Sequence, residues 1–118
     1  DMKQLSLLLL VCLAVFSTGC ENTELSLTVT NRLPNVELRD VYWEGRYIAG
    51  GLLPGQTGSF EATCIAGKSD EYPKEGPIEF RMALNGKVVF VKTKEIIKLD
   101  CDQQLEFEVN DSTEIEIF

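Results

Sequence analysis

IEFRMALNGKVVFVKT, residues Ile78 to Thr93, is the stretch on which the fold turns. Ile78, Phe80, Met82 and Leu84 alternate with Glu79, Arg81 and Ala83, a period of two that puts apolar side chains on one face of an extended strand. Asn85-Gly86 follows, a dipeptide that tolerates the two positive φ values of a tight hairpin turn, so the chain is expected to reverse there. The return, Lys87 to Thr93, carries Val88-Val89-Phe90-Val91, apolar on both parities. That predicts a strand interior to its sheet, or one whose outer face is covered.

The same period extends in both directions. Downstream, Ile97, Leu99 and Cys101 alternate with Lys98 and Asp100, then Leu105, Phe107 and Val109 with Glu106 and Glu108, and Ile115 and Ile117 close the pattern. Upstream, Phe60, Ala62 and Cys64 make one strand, preceded by Pro54-Gly55, the central pair of a type II turn. Gly50-Gly51 punctuates before it, and Tyr47 and Ile48 suit a short strand. Val36 and Leu38 share a phase that Val41 and Trp43 reverse, so Arg39-Asp40 is expected to hold a bulge or bend. Leu25, Leu27 and Val29 form the first strand, with Leu33-Pro34-Asn35 turning after it. The segment from Ala66 to Pro77 reads as the longest loop. No long stretch has helical spacing. The fold class is therefore all-β: a single antiparallel β-sandwich of seven to nine short strands, immunoglobulin-like or related.

The beginning of the chain reads differently. Lys3 supplies a charged start, Leu5 to Phe16 an apolar run, and Ser17-Thr18-Gly19 small residues before Cys20. An apolar run of about twelve residues is shorter than the roughly 20 that a membrane-spanning helix needs, and fits a cleaved signal peptide. Small residues followed by cysteine resemble the lipobox of bacterial lipoproteins, in which the thiol takes a diacylglycerol and becomes the mature N-terminus. Ser17, where leucine is usual, is similar to the looser boxes of Bacteroides-type bacteria. Leu53-Pro54-Gly55-Gln56-Thr57-Gly58 before a strand, with the later acidic hairpin, resembles the small single-domain lipoproteins of the same bacteria. The resemblance spans most of the mature chain and implies an anchor and a compartment, but no activity. The organisation expected is a signal peptide over 1–19, a lipidated tether over 20–24 and a sandwich domain over 25–118. Two or three acyl chains, at about 0.8 kcal/mol per buried CH₂, would hold such a protein on a bacterial cell envelope, in the outer membrane.

Of four cysteines, Cys12 leaves with the leader and Cys20 takes the lipid, so Cys64 and Cys101 remain. Both lie on inward phases. A disulfide between them is expected, the alternative being two buried thiols. No CxxC pair is present, which argues against redox catalysis.

Nineteen acids against eleven bases give a net charge of −8, a poor surface for nucleic acid. Such a surface keeps an exported domain soluble and favours basic proteins or cations as partners. The chain holds no histidine, which removes Ser-His-Asp and Cys-His mechanisms and the commonest zinc ligand. A carboxylate pair hydrolysing a glycoside needs a cleft, and the acids here fall mainly on outward strand phases. No enzyme activity, cofactor or metal is expected. Gly50-Gly51 and Gly55 match no phosphate loop. Asp70-Glu71, Asp100 with Asp102, and Asn110-Asp111 match no spaced calcium loop and read as solvated turns.

Tyr42-Trp43-Glu44-Gly45-Arg46-Tyr47 gathers the only tryptophan and two of three tyrosines. Trp43 is expected in the core. Tyr42, of opposite parity, with Tyr47 and Arg46, is the candidate ligand surface, since large rings give contact area at low entropy cost. The leading expectation is a non-catalytic, lipid-anchored envelope module that binds a protein or a glycan. Its rivals are a subunit of a fimbria or other surface assembly, and an inhibitor of a basic enzyme such as lysozyme.

Overall fold

Alternation of apolar and polar residues becomes ten strands in the computed structural model, which describes residues 22–65 and 71–118. The expected signal peptide, Cys20 as the expected lipid attachment point, and the acidic Asp70 lie outside the described residues. The strands are β1 (Thr23–Asn31), β2 (Leu38–Trp43), β3 (Arg46–Leu52), β4 (Thr57–Cys64), β5 (Lys74–Gly76), β6 (Ile78–Leu84), β7 (Lys87–Thr93), β8 (Ile97–Leu99), β9 (Gln104–Val109) and β10 (Ile115–Ile117). They form a three-stranded sheet in the order β4-β1-β9, a five-stranded sheet in the order β10-β7-β6-β2-β3, and a ribbon of β5 with β8. The all-β sandwich is as expected. The tenth strand is β5, inside the stretch expected to be loop; Lys74 to Gly76 carry no period of two and become a strand only by pairing with Leu99 to Ile97.

Among the described residues the strand pairings are antiparallel except one: β1 runs parallel to β9, from Ser26 opposite Gln104 to Asn31 opposite Val109. With β1 between β4 and β9, the strand order differs from that of an immunoglobulin constant domain and belongs to a related sandwich. The first strand starts at Thr23, so Thr23 and Glu24, expected in the tether, are paired with Cys64 and Thr63.

Inward residues meet in one core: Leu25, Leu27 and Val29 of β1 face Leu38, Val41 and Trp43 of β2 and Ile78, Phe80 and Met82 of β6, all buried. Trp43 is fully buried, its ring 6.2 Å from that of Phe60. Its indole N–H points at two carbonyls of the β5–β8 ribbon, Gly76 O at 3.2 Å and Ile97 O at 3.3 Å. A buried indole needs such an acceptor, and the ribbon supplies it.

The reversal of phase in β2 has its predicted origin. Arg39 stands opposite Arg81 and Tyr42 opposite Glu79, so Asp40 and Val41 share the space facing Phe80, and Asp40 sits at φ 48°. The hairpin Asn85-Gly86 has φ 53° and 81°, and Gly55, at φ 88°, completes the type II turn that Gln56 N closes on Leu53 O at 2.9 Å. β7 is interior to its sheet, between β6 and β10, but among the described residues no other layer covers its outer face: Val88 and Phe90 remain exposed. Where β3 and β4 meet at the corner between sheets, a Cβ on Gly58 would lie 2.8 Å from Ala49 Cβ. Glycine lets the two backbones approach there.

Asn31 ends β1 with its side chain fully buried. Its Nδ2 donates to Val36 O at 2.7 Å and Leu52 O at 2.8 Å, and its Oδ1 accepts from Leu33 N at 2.9 Å. One side chain thus ties the loop after β1 to the end of β3. Asn31→Ala strands two carbonyls and one N–H, and is expected to lower the unfolding free energy by about 2–4 kcal/mol in urea titrations followed by Trp43 fluorescence. Asn31→Asp, which keeps the shape but loses both donors and sets a carboxylate against two carbonyls, should be no better.

Candidate functional site

The outer face of the five-stranded sheet is where the expected ligand residues fall. The register aligns Tyr47, Tyr42, Glu79, Lys92 and Glu116 as one row across β3, β2, β6, β7 and β10. Tyr42 and Tyr47 meet edge to face, with ring centroids 5.6 Å apart, and Tyr47 is 58% exposed. Tyr47 can lie back over the sheet because Gly50 has no side chain: a Cβ there would come 2.8 Å from the tyrosine hydroxyl.

A second row runs Arg39, Arg81, Phe90 and then Phe118, whose N–H donates to Phe90 O at 3.1 Å. Phe90 and Phe118 stack with centroids 6.4 Å apart and are 55% and 60% exposed. The Arg81 guanidinium sits 5.8 Å from the Phe90 ring and the Lys92 ammonium 5.3 Å from the Phe118 ring. Arginines directly opposite one another repel. Here each has its own carboxylate: the bulge turns Asp40 to pair with Arg81, and Glu37 lies 3.8 Å from Arg39. Lys92 pairs with Glu116 at 3.7 Å. The result is a layer of four exposed rings interleaved with neutralised charges, which offers stacking surface and hydrogen-bonding groups without a large net field. A shallow depression bounded by Glu37, Arg39, Ala83 and Val88 continues it at the hairpin end.

Arg46 is not part of this face. It stands opposite Trp43 in the register, so its side chain takes the inward phase at the sheet margin, 5.9 Å from the Phe60 ring and paired with Glu71. The three expected ligand residues therefore separate into Tyr42 with Tyr47 on one side and Arg46 on the other. Phe90 and Phe118 were not singled out by sequence; the signal was the two-parity run Val88 to Val91, in which Phe90 had to face outward if Val91 faced in.

The remaining candidates resolve locally. Cys64, at the end of β4, and Cys101, in the turn before β9, form a disulfide with Cα atoms 5.9 Å apart. Asp100 Oδ1 accepts from Cys101 N at 2.7 Å and Asn110 Oδ1 from Ser112 N at 2.8 Å, so these acidic turns cap their own backbone. Among the described residues, no three His, Cys, Asp or Glu side chains group as metal ligands. The outer face of the three-stranded sheet is hydroxyl-rich and acidic, with Thr28 and Ser59 in contact at 3.1 Å and Thr30 and Thr57 at 2.8 Å. Compared with protein-family models, with curated proteins and with solved structures, the chain matches none of them.

Proposed function

We propose that this protein is a non-catalytic lipoprotein of a bacterial cell envelope, anchored in the outer membrane through Cys20, whose sandwich binds a protein or glycan on the outer face of the five-stranded sheet. The observation that carries the reading is the cluster of Tyr42, Tyr47, Phe90 and Phe118 on one solvent-facing layer. Exposed rings in that number on a single sheet face mark recognition surfaces more often than solvated ones. The absence of histidine from the chain supports a role without acid–base chemistry. The disulfide supports an exported location, because such bonds persist in oxidising compartments.

The anchor and the domain would lie close together. Only Glu21 and Asn22 separate Cys20 from β1, a span of at most about 11 Å at 3.8 Å per Cα step. A lipidated chain would therefore hold its sandwich against the headgroups, and its partner would be another component of the envelope or a molecule that reaches it.

A glycan array and a pull-down from envelope extract, each run with the wild-type chain and with Tyr42→Ala and Tyr47→Ala, test the recognition face. The expected result is a partner retained by the wild type and weakened at least about tenfold by either substitution, as for interface aromatic anchors. Binding that both substitutions leave unchanged sinks the assignment of this face. Mass spectrometry of the native N-terminus tests the anchor, where an unmodified Cys20 would overturn it.

A further inference from the structure

The two flanks of the sandwich are built differently. On one, β4 meets β3 closely enough that Gly58 has no room for a side chain. On the other, β9 is the outermost strand of its sheet, and among the described residues no strand pairs with its far edge. Ser26 N donates to Gln103 O at 3.0 Å and Arg32 N to Val109 O at 2.7 Å, so the odd-numbered residues of this parallel ladder bond to β1. Gln104, Glu106 and Glu108 consequently turn their N–H and C=O groups to the open edge. Thr113 Oγ1 donates to Glu108 O there, at 3.3 Å.

The side chains on this edge sort by parity. Leu105 and Phe107 point inward but are only half-buried, unlike the fully buried inward residues of the neighbouring β1. Beyond Val109 a shallow cavity opens between apolar Leu33, Phe80, Met82 and Ile115 and the turn residues Asn110, Asp111 and Thr113, which close off this end of the edge. Gln104, Glu106 and Glu108 point outward and are exposed, Glu108 already engaging Arg32 Nε at 3.4 Å at the end of the strand. An added strand would thus find open backbone at Gln104 and Glu106, short of the Thr113 contact at Glu108, together with an unfinished apolar layer and an acidic row.

We infer that the free edge of β9 takes an extended strand from a basic partner, with apolar side chains in the inward phase against Leu105 and Phe107 and Lys or Arg in the outward phase beside Glu106 and Glu108. Charge decides the occupant. A second copy would bring its own acidic row and a net charge of −8 against the same, and like charges across strands repel. Acids along an edge guard against self-pairing while leaving it open to a strand of opposite sign. This surface lies on the other sheet from the tyrosine face, and its test is independent of that one.

The probe is an acetylated peptide of about seven residues alternating valine with lysine, long enough for one strand, titrated into the full chain and followed by backbone amide shifts and fluorescence anisotropy. Shifts at Gln104, Glu106 and Glu108 are expected, with a composition-matched scrambled peptide binding at least about tenfold more weakly. The paired substitution Glu106→Lys with Glu108→Lys should weaken the valine–lysine peptide by about tenfold or more and admit a valine–glutamate peptide instead. The inference is overturned if β9 amides do not shift, if the scrambled peptide binds as well, or if light scattering shows the wild-type chain pairing with itself through this edge.

Discussion

Replacing Trp43 with alanine is expected to lower the free energy of unfolding by about 3–5 kcal/mol, the range for removing a large buried aromatic side chain. Such a loss is a large part of the about 5–15 kcal/mol that a domain of this kind possesses. Two separate contributions make it up. The ring fills the space between β2, Phe60 of β4 and the β5–β8 ribbon, and the alanine leaves that space void. The indole N–H also binds Gly76 O and Ile97 O, which the alanine leaves without it. Trp43→Phe separates the two: it keeps most of the volume and removes the donor, so about 1–2 kcal/mol should be lost. Because Trp43 is the only tryptophan, both variants must be followed by circular dichroism in urea rather than by its fluorescence. A Trp43→Ala chain as stable as the wild type would mean that the ring is not the keystone of the core. Equal losses for Phe and Ala would place the whole effect in the hydrogen bonds to the ribbon.

The reach of sequence reasoning follows the range of the interactions involved. Period-two alternation and turn residues are local, so the hairpin at Asn85-Gly86, the turn at Pro54-Gly55 and the bulge at Asp40 were all legible. The hairpin at Glu44-Gly45, with φ 49° and 75°, was harder, because glutamate lacks the asparagine or aspartate preference for positive φ. β5 was illegible, since Lys74-Glu75-Gly76 is extended only through β8 and the indole of Trp43. So was the parallel pairing of β1 with β9, which joins strands from opposite ends of the domain and leaves no local trace. Asn31 reads as an ordinary turn-flanking polar residue until its three partners are seen. At the candidate site, parity correctly turned Tyr42 outward and Trp43 inward. The place of Arg46 was legible by the same rule: it is adjacent to Tyr47 in β3 and shares the phase of buried Ile48, so grouping it with the tyrosines set the alternation aside, and the register puts it opposite Trp43.

Those same long-range pairings explain how the two proposed surfaces coexist. The tyrosine face depends on antiparallel strands joined by tight turns, in which Asp40 and Arg81 hold each other in place. The β9 edge depends on a single parallel ladder, the slightly weaker kind of pairing, with no further strand beyond it among the described residues. A rigid layer suits recognition by preformed side chains, whereas an edge with spare hydrogen-bonding capacity suits strand addition.

Removing the disulfide should therefore affect the two surfaces unequally. Cys64 ends β4 and Cys101 precedes β9, so the bond links the two strands that flank β1 and closes a loop across a sequence separation of 37 residues. By the chain-entropy account a link of this length is worth about 3–4 kcal/mol, so Cys64→Ala with Cys101→Ala, or reduction of the wild type, should lower stability by that amount. The loss should begin at β9. Its pairing with β1 must be closed over most of the domain, and the disulfide shortens the excursion. β6 and β7, by contrast, are held by their own hairpin. Amide exchange under reducing conditions is expected to release Leu105, Phe107 and Val109 before Phe80, Met82 and Val91, with peptide binding at the β9 edge lost before the tyrosine face loses its partner. Uniform exchange across both sheets would show instead that the domain opens as one unit and that the bond has no special hold on β9.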